Sequence, residues 1–170
     1  MVRPSTFSGL LLPLFLAAGI NVQTRPVSPP SAAFEQLKSL VGEWRGKNTR
    51  GQAVTLRYEV VAAGSVLMER LKPDGESEMV TMYTLDDDRI VVTHFCSEGN
   101  QPIMQTAPIT AATRTYKFDL VRVSGMRSPD EVHMAGLTLT IEDRDHLTQV
   151  WGVTGKGTNY ANTFHYSRKQ

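Results

Sequence analysis

The chain has 170 residues and a formal net charge of +1, which is enough for one domain of ordinary size once its N-terminus is set aside. Lysine and arginine are scattered and form no basic stripe with interleaved aromatic residues, which argues against a nucleic-acid partner. Cys96 is the only cysteine, so an intrachain disulfide is excluded and stability must come from the core and the backbone hydrogen bonds.

The first 24 residues predict an export signal. Arg3 is followed by an apolar run at 10–18 and by small residues up to Gly19, and the run is too short to span a bilayer comfortably. We therefore expect a cleaved signal peptide and an exported protein, periplasmic or secreted, with no stable membrane anchor; an uncleaved N-terminal anchor is the alternative. Residues 25–33 are rich in proline and predict a stiff linker before the domain at 34–170.

Short alternating segments separated by turn residues predict an all-β fold after one short helix. The helix is predicted at Ser31–Leu40, since Phe34 and Leu37 recur on one face. Ten strands are predicted at Gly42–Thr49, Val54–Ala62, Ser65–Lys72, Ser77–Leu85, Arg89–Cys96, Ile103–Ala107, Thr115–Val123, His133–Glu142, His146–Val153 and Tyr160–Arg168. Hairpin connections between so many strands favour an antiparallel meander, which removes its edges by closing into a barrel.

Alternation along the strands predicts which side chains face the interior. The more apolar row of each strand is placed inside, and it carries several polar residues that could orient a ligand. The predicted ligand-binding residues are Tyr58, Met68, Arg70, Tyr83, His94, Cys96 and His133.

Gly42-x-Trp44 on the first strand and Arg168 on the last resemble the pattern of the calycin superfamily, which includes lipocalins, fatty-acid-binding proteins and nitrobindin. The resemblance implies that Trp44 closes the base of the barrel and that Arg168 packs on its ring. The stretches 42–46, 65–69, 93–96 and 99–102 are more closely similar to uncharacterised bacterial exported lipocalin-like proteins. That likeness implies a calycin-like meander barrel and no particular reaction.

Three groups of residues offer chemistry, each with a plainer alternative. His94, Cys96 and His133 could form a soft metal site or a polar cluster that contacts a ligand, or simply fill the core. Arg70 could meet an anionic headgroup, as arginine does in fatty-acid carriers, or pair with a carboxylate or lie at the rim. His165 lies where nitrobindin-type barrels bind haem, but alternation directs it outward unless a bulge reverses the phase.

The sequence favours an exported protein that holds a small hydrophobic or amphipathic molecule inside a barrel. No catalytic residue or metal ligand is assigned, and the cofactor is left open with haem as a candidate. The alternatives are a haem or metal barrel that uses His94, His133 or His165, and an enzyme that uses His94 as a base on a small hydrophobic substrate.

Overall fold

The computed structural model describes residues 28–170. The predicted signal peptide at 1–24 lies outside the described residues. Ten antiparallel strands form a closed barrel with one short N-terminal helix, which confirms the predicted fold class. The elements are α1 Pro29–Lys38, β1 Gly42–Asn48, β2 Ala53–Val61, β3 Val66–Pro73, β4 Met79–Asp86, β5 Arg89–Phe95, β6 Gln101–Gln105, β7 Thr115–Ser124, β8 His133–Ile141, β9 His146–Gly155 and β10 Thr158–Arg168.

Each strand pairs with its neighbours in the chain, and β1 pairs with β10 to close the sheet. Closure gives each of the ten strands within residues 28–170 two hydrogen-bonded neighbours, so this sheet has no open edge. The inward side chains of the strands form one continuous core that also includes the inner face of α1. No helix within residues 28–170 is long and apolar enough to cross a membrane.

The helix begins two residues earlier than predicted and takes up residues 29–33 of the expected linker. Pro29 stands at the start of the helix, where its missing N–H costs nothing and its fixed φ favours the helical conformation. Pro30 and Ala33 are buried against the barrel, as are the predicted core residues Phe34 and Leu37. Packing against the strands therefore extends the helix into a stretch whose composition suggested a linker.

One end of the barrel, here called the base, is closed by Trp44 and Arg168. The indole of Trp44 is buried and donates a hydrogen bond to the carbonyl of Leu40 at 2.9 Å. The guanidinium of Arg168 lies 4.1 Å from the centre of that ring, which is the geometry of a cation–π contact. Arg168 also donates to the carbonyls of Ser39 and Val41 at 3.0 and 2.8 Å, so it joins the last strand to the segment that follows α1.

Two glycines make room for this closure. Gly42 has a φ of +129°, and a Cβ there would press on the guanidinium of Arg168 at 3.1 Å. A Cβ on Gly46 would collide with the carbonyl oxygen of His165, because β1 and β10 approach closely where Gly46 pairs with Tyr166. The first strand therefore has glycine at both positions because the neighbouring strand and Arg168 leave no room for a larger side chain.

We expect Arg168→Met to lower the free energy of unfolding by about 3 kcal/mol, since it removes several charge-assisted hydrogen bonds to backbone carbonyls while keeping an apolar stem. Urea unfolding followed by circular dichroism measures the change. Arg45→Met, on the exposed face of β1, is the matched control and should change the free energy by no more than about 0.5 kcal/mol. Equal effects of the two variants would contradict a closing role for Arg168.

Candidate ligand-binding site

A cavity of about 270 Å³ opens at the end of the barrel opposite the base, and we call it the mouth cavity. Its lining is mixed, with apolar side chains beside a similar number of polar and charged ones, and the charged Arg50, Glu76 and Glu98 are exposed to solvent. The residues that line it are Asn48, Arg50, Gln52, Leu71, Pro73, Glu76, Met79, His94, Cys96, Ser97, Glu98, Val132, Met134, Trp151, Val153, Tyr160, Asn162 and Phe164. The rest of the barrel interior is filled by buried side chains.

Below the mouth cavity, a hydrogen-bonded set of side chains crosses the barrel, and we call it the polar layer. Its members are Tyr58, Glu69, Thr81, Tyr83, His94, Gln149 and Trp151, from strands β2, β3, β4, β5 and β9. Because β4 and β9 lie on opposite sides of the ten-stranded ring, the layer ties two distant walls together. His94 and Trp151 also line the cavity, so the layer forms part of its floor.

The carboxylate of Glu69 is the centre of the polar layer and is completely buried. Tyr83 donates to Oε2 at 2.7 Å, Gln149 donates to the same oxygen at 2.8 Å, and Thr81 faces Oε1 at 3.5 Å. The orientation of the Gln149 amide is fixed by Trp151, whose indole N–H can only donate and lies 3.0 Å from Oε1 of Gln149. The amide nitrogen of Gln149 must therefore face Glu69.

Burial has the largest effect on the pKa values of Tyr58, Glu69 and Tyr83 in the polar layer. It raises the pKa of Glu69, and the hydrogen bonds from Tyr83, Tyr58, Gln149 and Thr81 oppose that rise. The pKa values of Tyr58 and Tyr83 are raised well above the ordinary value by burial and by the nearby carboxylate. Both phenols therefore remain protonated and available as donors to Glu69.

His94 joins the polar layer to the mouth cavity. Its Nδ1 lies 2.9 Å from the hydroxyl of Thr81, and its ring packs against Trp151 with 4.6 Å between the ring centres. Burial lowers the pKa of His94 to about 4, so the ring is neutral near physiological pH. Its Nε2 is buried and has no hydrogen-bond partner within residues 28–170, and an unpaired buried group of this kind costs about 1–3 kcal/mol.

The structure brings only part of the predicted site together. Of the predicted ligand-binding residues, His94 and Cys96 line the mouth cavity. Tyr58 and Tyr83 point inward as predicted, but they are buried in the polar layer beneath the cavity and do not line it. Cys96 is half-buried and burial raises the pKa of its thiol, so it contributes a weakly polar wall and no activated nucleophile.

The prediction that Met68 and Arg70 face inward is wrong. On β3 the inward row is Leu67, Glu69 and Leu71, and Arg70 lies on the outer surface, where it pairs with Glu78 at 2.8 Å. Both rows of this strand contain apolar side chains, so alternation alone could not identify the inner one. The buried charge of the barrel is consequently a carboxylate and not a guanidinium.

The inward placement of His133 is also wrong, because β8 contains a bulge. The register with β9 shifts between Met134 and Gly136, so Met134 pairs with the inward Val153 while His133 pairs with the outward Thr154. Met134 therefore lines the cavity, and Nδ1 of His133 contacts the carbonyl of Glu131 at 2.8 Å. A bulge changes the face of every residue on one side of it, and Gly136, a glycine inside the predicted strand, is the sequence signal of this one.

His165 lies on the outside of the barrel, as alternation predicts, and its Nδ1 is 2.9 Å from the hydroxyl of Thr148. The pairing of β10 with both neighbours shows no register shift, so its phase is not reversed. In the described part of the chain, no group of three or more His, Cys, Asp or Glu side chains is arranged to hold a metal ion. The three histidines proposed for haem or metal thus do not converge on one site.

The sequence reasoning missed Glu69, Thr81, Gln149 and Trp151. The last two do carry a signal, because they alternate with Leu147 and Val153 in a row that is inward throughout β9. A glutamine inside such a row predicts a buried hydrogen-bonding partner. That partner is Glu69, eighty residues away in the chain, which no local pattern reveals.

Comparison with solved structures finds a likeness in fold. A crystal structure of a protein of unknown function from the DUF3598 family of Nostoc punctiforme matches 79% of this chain, with a TM-score of 0.54 and 16% sequence identity. The match spans 49% of that protein, about half of its length. No protein-family model and no curated protein matches the chain. The similarity supports the barrel architecture, while membership of the calycin superfamily stays a prediction.

The buried carboxylate predicts a specific pH dependence of stability. Because the pKa of Glu69 is raised above 4.5, the folded chain holds this proton more tightly than the unfolded chain. Linkage then makes the contribution of Glu69 less favourable as the pH rises from the unfolded pKa through the folded pKa. The measurement is the free energy of unfolding in urea, for Glu69→Gln and for the wild type, from about pH 4 to 8. We expect the value of the variant to rise relative to that of the wild type as the pH increases. A difference that stays constant would contradict the raised pKa.

The histidines should titrate differently. Since the pKa of His94 is lowered to about 4, its ring signals in a nuclear magnetic resonance titration should not move between pH 8 and about 5. His146 is the internal control, because its exposed ring contacts Asp143 and its pKa is raised above 6.5. Titration of His94 near pH 6.5 would contradict its burial in the polar layer.

Proposed function

We propose that this chain is an exported binding protein that holds a small, neutral, amphipathic molecule in the mouth cavity. The observation that carries the proposal is the mouth cavity itself, a space inside a closed barrel that is lined by apolar strand residues together with the buried ring of His94 and several polar side chains. Binding sites for small molecules combine apolar walls with a few placed polar groups in this way. Export is supported by the charged and apolar pattern of the first 24 residues.

The size of the cavity limits the ligand. Its volume of about 270 Å³ is slightly below the range of about 300–1,000 Å³ that is usual for pockets of drug-sized molecules. Buried side chains fill the barrel below the polar layer, so a long acyl chain cannot extend towards the base. The ligand we propose is therefore a compact molecule of one or two rings.

The distribution of charge argues for a neutral ligand. Arg70, the residue that would have met an anionic headgroup, lies outside the barrel, while the inner charge belongs to Glu69. The polar layer beneath the cavity contains no cation, and Arg50, the one cationic side chain of the lining, is exposed and shares that lining with Glu76 and Glu98. The mechanism of holding is burial of apolar surface, at about 25 cal/mol per Å² removed from water, with polar contacts that fix orientation.

The first experiment is native mass spectrometry, together with an absorbance spectrum, on the full chain recovered after export. The proposal expects an organic molecule that leaves on denaturation, with no haem absorbance. A Soret band would show that the protein binds haem and would overturn the proposal. A metal adduct that is lost in His94→Gln would show that the site binds a metal ion, and it would also overturn the proposal.

The second experiment measures the binding of indole, a small aromatic probe, by isothermal titration calorimetry. We expect saturable binding by the wild type and at least a tenfold loss in Val153→Phe, which places a ring in the cavity. Val150→Phe adds the same ring to the outer face of β9 and should leave binding unchanged. Absence of binding by the wild type, or equal binding by the two variants, would contradict a ligand site in the mouth cavity.

A further inference from the structure

A second concave site lies on the outside of the barrel, where β1, β2 and β3 pair side by side, and we call it the outer groove. Its volume is about 320 Å³, and it shares no lining residue with the mouth cavity. Five cationic side chains line it beside two carboxylates, so its charge is positive. The cations are dispersed in the sequence and are brought together by strand pairing; they are Arg45, Arg57, Arg70, Lys72 and Lys169.

The carboxylates at the outer groove, two in its lining and Glu59 next to it, each have a cationic partner. The pairs are Glu43 with Lys169 at 2.6 Å, Glu59 with Arg57 at 2.5 Å and Glu78 with Arg70 at 2.8 Å. Arg45 and Lys72 are exposed and form no ion pair within residues 28–170. The positive charge that the groove offers to solvent therefore belongs mainly to these two side chains.

Arg45 and Lys72 flank one residue, Thr55. Thr55 on β2 is the cross-strand partner of Arg45 on β1 and of Lys72 on β3, so the three outward side chains form a single row. Two strand spacings of about 4.8 Å place the Cα atoms of the two cations about 10 Å apart. Their long side chains can therefore contact one small ion that lies over Thr55.

The hydroxyl of Thr55 supplies a third donor to this point. Its Oγ1 lies 3.5 Å from the carbonyl oxygen of Lys72, which is long for a hydrogen bond between two oxygen atoms. The hydroxyl proton is consequently available to a better acceptor above the sheet. A guanidinium, an ammonium and a hydroxyl together match the oxygen atoms of a tetrahedral anion.

The next row of the same wall adds to the positive potential. Arg57 and Arg70 stand directly opposite each other on β2 and β3, and like charges in this arrangement destabilise a sheet. The ammonium of Lys169 holds the pKa of Glu43 below its usual value. The charges of Arg57 and Arg45 lower this pKa further, so the wall favours negative groups near it.

We propose that the outer groove binds a phosphate group, which is held over Thr55 by Arg45 and Lys72. The site is separate from the mouth cavity, so this inference goes beyond the proposed function and does not rest on it. A phosphate monoester fits the site because two unpaired cations face one point while the surrounding carboxylates are neutralised by their partners. Soluble esters and lipid headgroups both carry this group.

The first probe is inorganic phosphate, added to the ¹⁵N-labelled full chain at constant ionic strength and followed by nuclear magnetic resonance. We expect saturable shifts of the backbone amide signals of Arg45, Thr55 and Lys72. The signal of Val153, which lies in the mouth cavity, should not move. Absence of a saturable shift in the wild type would overturn the inference and would leave the proposed function standing.

Two double variants test the role of charge. Arg45→Gln combined with Lys72→Gln should raise the Kd for phosphate at least tenfold, because both charged donors are lost. Lys117→Gln combined with Arg122→Gln is the matched control, since it lowers the net charge equally on β7, opposite β2 in the ring. We expect this control to change the Kd less than twofold. Equal weakening by the two double variants would indicate general attraction to a cationic protein and overturn the inference.

Thr55→Val removes the hydroxyl and keeps every charge and nearly the same shape. We expect the Kd for phosphate to rise about fivefold, which corresponds to the loss of one hydrogen bond. Circular dichroism checks that this variant and the double variants are folded. An unchanged Kd in a folded Thr55→Val would show that the anion does not lie over Thr55, contrary to the inference.

The source of the phosphate group is identified with vesicles of phosphatidylcholine that contain phosphatidic acid, whose headgroup is a phosphate monoester, and with glycerol phosphate in solution. Co-sedimentation with these vesicles, absent for phosphatidylcholine alone and lost in the Arg45→Gln and Lys72→Gln double variant, would support the inference with a lipid headgroup as the ligand. Displacement of inorganic phosphate by glycerol phosphate without vesicle binding would support it with a soluble ester.

Discussion

The structure depends on one buried carboxylate that is held by neutral donors. Moving a charge into a barrel interior costs several kcal/mol unless its lone pairs are satisfied, and here Tyr83 and Gln149 supply short hydrogen bonds to Glu69. These donors come from β4 and β9 on opposite sides of the ring, so the interior cannot be satisfied unless the barrel is closed in this register. The polar layer thereby specifies how the two walls are placed, which an apolar core of equal volume would leave less defined.

The two ends of the barrel are built by different means. At the base, Arg168 spans three backbone carbonyls and covers Trp44, so closure rests on a cation and an aromatic ring that local sequence already indicates. At the mouth, the loop after β5 is joined to the start of β8, where Asn100 donates to the carbonyl of Val132 at 2.8 Å. The base therefore supports the fold, while the mouth is left with space that side chains do not fill.

The sequence predicts the strands well because turn residues mark their ends, and it predicts the base because glycine, tryptophan and arginine stand at the first and last strands. Prediction from the sequence fails where two orientations of a strand fit the same pattern of apolar and polar residues. On β3 both rows are partly apolar, so alternation predicts an inward Arg70 where the structure has an inward Glu69. On β8 a bulge beside Gly136 moves Met134 inward and His133 outward, and a glycine within a strand is compatible with both the bulged and the regular register. The bond between Gln149 and Glu69 depends on closure of the whole ring, which local reasoning does not contain.

These corrections change the chemistry expected of a ligand. An inward Arg70 would have matched an anionic headgroup, as in fatty-acid carriers, whereas the interior holds Glu69 and the buried ring of His94, whose Nε2 has no hydrogen-bond partner within residues 28–170. Glu69 does not line the mouth cavity, so it influences the cavity only through the side chains that the polar layer holds in place, among them His94 and Trp151.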